Sequence, residues 1–152
     1  MTADPVGEAD LRDLLPLLRG YCDFYRVHPP DERLEALCRE LIERPEEGMQ
    51  LIARDDDGDA IGFATVYWTW ATLVAMRVGV MNDLYVKPAA RGHGVGRALV
   101  EACRARARER GVAGLEWQTQ PGNTRAQRLY ESLGAERSEW VGYWLPVRQP
   151  SR

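Results

Sequence analysis

The chain has 152 residues, which fits one domain, since domains usually hold about 100 to 200. Apolar residues make up 45 % and charged residues 28 %, a mixture that excludes a disordered, collagenous or membrane-embedded chain. The formal net charge of −3 disfavours a nucleic-acid binder that works by neutralising phosphates.

Three cysteines, Cys22, Cys38 and Cys103, show no CxxC spacing, so neither a disulfide framework nor a metal site is expected. No run reaches the roughly 18 apolar residues of a membrane helix, and Met1-Thr2-Ala3-Asp4-Pro5 lacks the basic start and apolar stretch of a secretory signal. A cytosolic protein without a membrane partner is expected.

Asp10 can cap a helix whose apolar positions Leu11, Leu14, Leu15, Leu18, Tyr21, Cys22 and Tyr25 follow helical spacing. After the breaker Pro29-Pro30, Asp31 can start a second helix with Leu34, Leu37, Cys38, Leu41 and Ile42 inward, stopped by Pro45 and Gly48. Two apolar runs, Met49 to Ala53 and Ala60 to Trp68, flank the acidic cluster Asp55 to Asp59. Asp and Gly tolerate tight-turn backbones, so the cluster reads as a hairpin tip. A calcium loop would use the same carboxylates but needs a downstream Glu that is absent.

A third β-rich run, Val78 to Val86, halts at Pro88, and Gly94 to Arg110 reads as a helix with Val95, Ala98, Leu99, Ala102 and Cys103 inward. A strand from Val112 to Thr119, a helix capped by Asn123 with Ala126, Leu129, Tyr130 and Leu133 inward, and a strand from Trp140 to Val147 complete the chain. This order predicts two helices, a three-strand meander and further strand–helix units on one mixed sheet.

The segment richest in chemistry is Leu84-Tyr85-Val86, a short connection, then Arg91-Gly92-His93-Gly94-Val95-Gly96 opening a helix. Backbone N–H groups beside the positive end of a helix dipole make an anion site. Glycines let phosphate oxygens approach the main chain, and Arg91 adds charged donors. A P-loop would need Gly-Lys-Ser/Thr and a dinucleotide fingerprint GxGxxG; this turn has neither.

Arg91 to Gly96 instead resembles the RxxGxG/A signature of the GNAT superfamily of acyl-CoA-dependent N-acyltransferases. Asn123-Thr124-Arg125-Ala126-Gln127-Arg128-Leu129-Tyr130, running on to Gly134-Ala135, is similar to that family's helix motif N-x-x-A-x-x-L/F-Y, at the expected distance after the turn. The resemblance covers roughly Val78 to Leu145, and Trp117-Gln118-Thr119 looks most like the branch with diamine, thialysine and yeast histone or polyamine acetyltransferases.

The resemblance implies a single N-acetyltransferase domain over residues 1–152. The implied fold is an α/β three-layer sandwich, a mostly antiparallel mixed sheet flanked by about four helices. It further implies acetyl-CoA as cosubstrate, with pyrophosphate on Arg91, Gly92, His93, Gly94, Val95 and Gly96. By the same resemblance, Leu84, Tyr85 and Val86 match the strand whose backbone pairs with pantetheine, and Asn123 matches a residue that contacts the cofactor, a role compatible with capping its helix. Tyr130 matches the tyrosine that protonates the departing thiolate, although helix pattern alone would make it a core residue.

The acceptor amine must lose a proton before attack. Where the diamine-acetyltransferase pattern has a glutamate this chain has Asn82, so Asp83 ranks first as base, ahead of Glu116. Alternation puts Asn82 and Asp83 on opposite faces unless a bulge intervenes. Asn82, Glu116 and Trp117 are the candidate acceptor contacts. The expected function is acetyl transfer to a primary amine of a polyamine, amino acid or antibiotic. Alternatives are transfer to a protein amine and a catalytically silent acyl-CoA sensor. The apolar C-terminal run, rich in Trp and Tyr, predicts a homodimer.

Overall fold

The structure, a computed structural model, describes residues 1–147. It comprises two compact units, Met1–Gln120 and Pro121–Arg152.

The first unit is built on a five-stranded sheet in sequential order: β1 (Thr2–Pro5), β2 (Gly48–Arg54), β3 (Ala60–Ala71), β4 (Met76–Val86) and β5 (Leu115–Glu116). The first four pair antiparallel and β5 joins β4 in parallel. The predicted meander is β2, β3 and β4. Its first tip is the acidic cluster, where Asp55 Oδ1 accepts from the N–H groups of Asp57 and Asp59 and the chain closes with Asp55 N donating to Asp59 O at 3.0 Å. Among the described residues no cluster of potential metal ligands is present.

Helices α1 (Leu11–Phe24) and α2 (Asp31–Glu43) cover one face, where Leu14, Leu17, Leu18, Leu34 and Cys38 pack on Ile52 and Phe63. Burying each large side chain contributes about 1.5–3 kcal/mol. The opposite face carries α3 (Val95–Glu109), whose Val95, Leu99 and Cys103 are buried. Gly62 of β3 marks that side, because a Cβ there would meet Leu99 and Val95. Helices, sheet and helix thus form the three expected layers. The second unit contains α4 (Thr124–Ser132), capped by Asn123, whose Oδ1 accepts from Ala126 N at 3.3 Å.

Two strand expectations are corrected and one strand was not foreseen. The stretch Val112 to Thr119 is a strand only at Leu115–Glu116, because the ladder to β4 spans just Gly79 and Val80. The run Trp140 to Val147 is irregular and exposed, with Trp140 at 84 % and Tyr143 at 95 %. Aromatic and β-branched residues favour strands only when a neighbouring strand packs against them, and no such pairing exists among the described residues. Conversely β1, which carries little strand-forming composition, exists because β2 offers it a ladder from Arg54 to Leu51. No helix of the described residues is long and apolar enough to cross a membrane.

Candidate active site

The site is organised by an irregularity in β4. Asp83 pairs with Thr65 while Met81 pairs with Val66, so Asn82 is an extra residue with no partner on β3. Such a bulge bends the strand and re-aims its side chains. The condition posed by strand alternation is therefore met: Asn82 and Asp83 converge, with Asn82 Nδ2 donating to Asp83 Oδ1 at 3.0 Å.

Beyond the bulge, one edge of β4 is open. The parallel ladder to β5 ends at Val80, and among the described residues no strand pairs with Leu84, Tyr85 and Val86 on that side. Lys87 N donates to Ile61 O at 2.9 Å, and in an antiparallel ladder hydrogen-bonded pairs alternate with non-bonded ones. Counting back, Tyr85 and Asp83 direct their backbone groups to β3, whereas Leu84 and Val86 direct theirs outward. One outward carbonyl is already used, since Arg91 Nε donates to Val86 O at 2.9 Å. The Tyr85 side chain packs against Phe63 and beneath Gly20 of α1, so this strand presents its backbone.

The chain then passes through a short turn at Pro88–Ala90 into the glycine turn. Gly92 and Gly94 have φ of 88° and 82°, left-handed values that glycine adopts without strain. Gly94 caps α3 and offers no side chain, so the first N–H groups of the helix, from Val95 onward, are uncapped by any side chain. Four such groups are left over at every helix start. The turn is exposed at Gly92, His93 and Gly94, and nothing lies within 4 Å of where a Gly94 Cβ would stand. Arg91 is less free than the sequence suggests. Besides the bond to Val86, its guanidinium lies 6.0 Å from the Tyr85 ring, so it braces the turn against the strand it follows. A hollow of about 380 Å³ beside the turn is lined by Lys87, Ala89, Ala90, His93 and Val95 with the Asp55–Asp56 tip opposite.

Asp83 lies on the α1–α2 face, partly buried. Burial pushes its carboxyl pKa up, opposed by hydrogen bonds from Thr65, Tyr21 and Asn82. A carboxylate lifted above its ordinary range is a stronger base. The Tyr21 hydroxyl donates to Asn82 O at 3.4 Å, and burial with the nearby Asp83 charge raises its pKa strongly. Glu116 is exposed at the end of β5. Its neighbour Leu115 would meet a Gly79 Cβ on the α3 side, so alternation puts Glu116 on the same face as Asp83. Trp117 follows, partly buried. Thr65 and Gln50 escaped the sequence reading, although Thr65 is a polar residue inside the apolar run Ala60 to Trp68, and Tyr21 was read as an inward position of its helix.

In the second unit Tyr130 is half-buried on α4, and its carbonyl accepts from the N–H groups of Leu133 and Ala135 as the helix ends. Asn123 performs the cap role described above.

The chain is similar to known N-acetyltransferases. It is 34 % identical over 140 residues to an uncharacterized N-acetyltransferase of Bacillus subtilis, covering 91 % of this chain and 93 % of that one. It is 36 % identical over 118 residues to the D-amino-acid N-acetyltransferase of Saccharomyces cerevisiae, covering 77 % and 73 %. A crystal structure of a probable acetyltransferase superposes with a TM-score of 0.87 at 28 % identity, over 99 % of this chain and 100 % of that one. The sequence model of the acetyltransferase (GNAT) family matches residues 14–135. The chain belongs to the GNAT family of N-acetyltransferases.

Proposed function

We propose that the protein transfers an acetyl group from acetyl-CoA to the primary amine of a small cytosolic molecule, by direct attack in a ternary complex. The observation that carries this reading is the open edge of β4 leading straight into the glycine turn at the start of α3. An extended amide-bearing chain ending in a pyrophosphate needs that pairing: strand-edge hydrogen bonds first, clustered N–H donors after.

Leu84 and Val86 supply the outward backbone groups, Tyr85 anchors the strand, and Arg91, Gly92, His93, Gly94, Val95 and Gly96 hold the anion. A backbone N–H on this edge polarises the acyl oxygen and stabilises the charge that grows on it. Asn123 adds a cofactor contact at the start of α4. Asp83 takes the proton of the attacking ammonium. As the nitrogen bonds to the acyl carbon and the carbon–sulfur bond breaks, Tyr130 gives its proton to the departing thiolate, and the second proton lost by the nitrogen as the amide forms restores the phenol. A phenol near pKa 10 still holds its proton at neutral pH, and it meets the negative charge that grows on the sulfur as the bond breaks. Asn82, Glu116 and Trp117 contact the acceptor. The relative that acetylates D-amino acids supports a small-molecule amine.

Six large apolar side chains, Trp140, Val141, Tyr143, Trp144, Leu145 and Val147, are exposed near the C-terminus and support assembly as a homodimer. Asn82 in place of the glutamate of the diamine-acetyltransferase pattern favours a second reading, an acyl-CoA sensor without turnover. Incubating the protein with acetyl-CoA and a panel of polyamines, D- and L-amino acids, aminoglycosides and a peptide amine, while following thiol release, separates them. Acceptor-dependent release is expected; tight acetyl-CoA binding with no release from any amine establishes the sensor.

A further inference from the structure

Three polar side chains stand in a row across three adjacent strands. Gln50 of β2 pairs directly with Thr65 of β3, and Thr65 pairs directly with Asp83 of β4. Gln50 is 4 % exposed and Thr65 fully buried, among leucines and Phe63. Gln50 Nε2 donates to Thr65 Oγ1 at 3.2 Å. A hydroxyl carries a single proton, so one that accepts from an amide has that proton left to give, and the Asp83 carboxyl, at the β4 position paired directly with Thr65, is the neighbouring acceptor on that face. The row therefore runs in one direction, from amide to hydroxyl to carboxylate. Gln50 Oε1 has no partner among the described residues. A half-satisfied amide at a core position costs stability that an apolar side chain of the same size would avoid. What the amide supplies is its bond to Thr65, together with one to the Cys38 thiol of α2.

We infer that Gln50 and Thr65 are positioning residues for Asp83, holding its carboxylate in one orientation at the bulge and polarising the hydrogen bond it receives. This rests on the reading of Asp83 as the base. The groups that face Asp83 are Tyr21 and Cys22 from α1, Cys38 from α2, Tyr67 from β3 and Asn82 from its own strand. None is a cation, so hydrogen bonds alone stabilise the ionised carboxylate, and losing one is felt directly.

The test compares Thr65→Val, Thr65→Ser and Gln50→Met with the parent by two readouts. One is the ¹³C titration of the Asp83 side-chain carboxyl, assigned by its absence in Asp83→Asn. The other is the acid limb of the kcat/KM profile with the best amine of the panel. Removing the hydroxyl makes the carboxylate harder to form, so in Thr65→Val both midpoints should move to higher pH by about one unit, the size expected for one hydrogen bond to a charged group. Thr65→Ser should restore the parent midpoints, and Gln50→Met should shift them less and in the same direction. A purely structural role would change melting and KM while leaving both midpoints in place, and that result overturns the inference. If Thr65→Val leaves the midpoints unmoved while Asp83→Asn is inactive, the row fails and the base stands. If Asp83→Asn turns over at the parent rate, the base assignment itself is overturned and the row has no catalytic task.

Discussion

Gly94 separates the chemistry of the glycine turn from its mechanics. With φ at +82°, any other residue there is strained by about 1–2 kcal/mol, the cost of the left-handed conformation for an L side chain. No atom lies within 4 Å of the new Cβ, so steric overlap adds nothing. For a protein of this size 1 kcal/mol moves Tm by about 2–4 °C, so Gly94→Glu and Gly94→Gln should both melt about 2–8 °C below the parent. They share strain and bulk and differ in charge. Acetyl-CoA at a hundredfold excess over its Kd stabilises the folded parent by about 2.7 kcal/mol, a rise of about 5–10 °C in a dye-based melt. The expected order of ligand-induced rises is parent, then Gln, then Glu, with the Glu variant showing none because its carboxylate occupies the place of a phosphate. Equal rises in parent and Glu variant would refute the placement of the anion on this turn.

Tyr130→Phe should lower turnover by about 10²- to 10⁴-fold, the usual worth of a general acid, with acetyl-CoA affinity by calorimetry unchanged. Asp83→Asn should lower turnover by a similar factor and stabilise the fold at neutral pH. Because the folded-state pKa of Asp83 is raised by burial, the native state holds the proton longer than the unfolded chain, and stability falls as pH rises through that interval. The gain in the Asn variant should therefore be seen in urea melts at pH 7 and vanish in acid below the unfolded carboxylate range. Light scattering at micromolar concentration should show a dimer for the parent and a monomer for Trp144→Glu; a monomeric parent defeats the dimer.

The sequence was most legible where local chemistry and long-range packing demand the same residue. Gly94 serves the left-handed cap and the proposed anion site, and Asp55 with Gly58 closes the β2–β3 tip through bonds within five residues. Helices α1, α2 and α3 fell close to their apolar stripes, because one buried face is enough to specify each. Leu17 was overlooked as a core residue and Leu37 proved half-exposed, since a stripe shows direction but not how widely the sheet covers it. The errors lie in the strands, which depend on partners far away in the chain. β1 borrows its ladder from β2, β5 ends where β4 bulges, and the aromatic run at Trp140 has no paired neighbour. The Gln50, Thr65 and Asp83 row was invisible for the same reason: its members are fifteen and eighteen residues apart, and only the ladder registers bring them together.

The bulge at Asn82 links the proposed cofactor edge to the proposed base. By adding one residue to β4 it places Asp83 opposite Thr65 with its carboxyl on the α1–α2 face, where Asn82 donates to it. The ladder to β5 stops at Val80, just before the bulge, and the next residues expose backbone donors and acceptors at Leu84 and Val86. A ligand strand seated on that edge would end its acyl group beside the residue that has just been re-aimed. A regular β4 would turn Asn82 and Asp83 to opposite faces, and a one-residue slip of this kind reverses the facing of every later side chain. Tyr85 would then leave Phe63 for the α3 side, where Val95 and Leu99 already fill the space against Gly62. Removing the bulge therefore costs core packing as well as the site, so the placement of the proposed base is enforced by the hydrophobic core rather than by the site's own few hydrogen bonds.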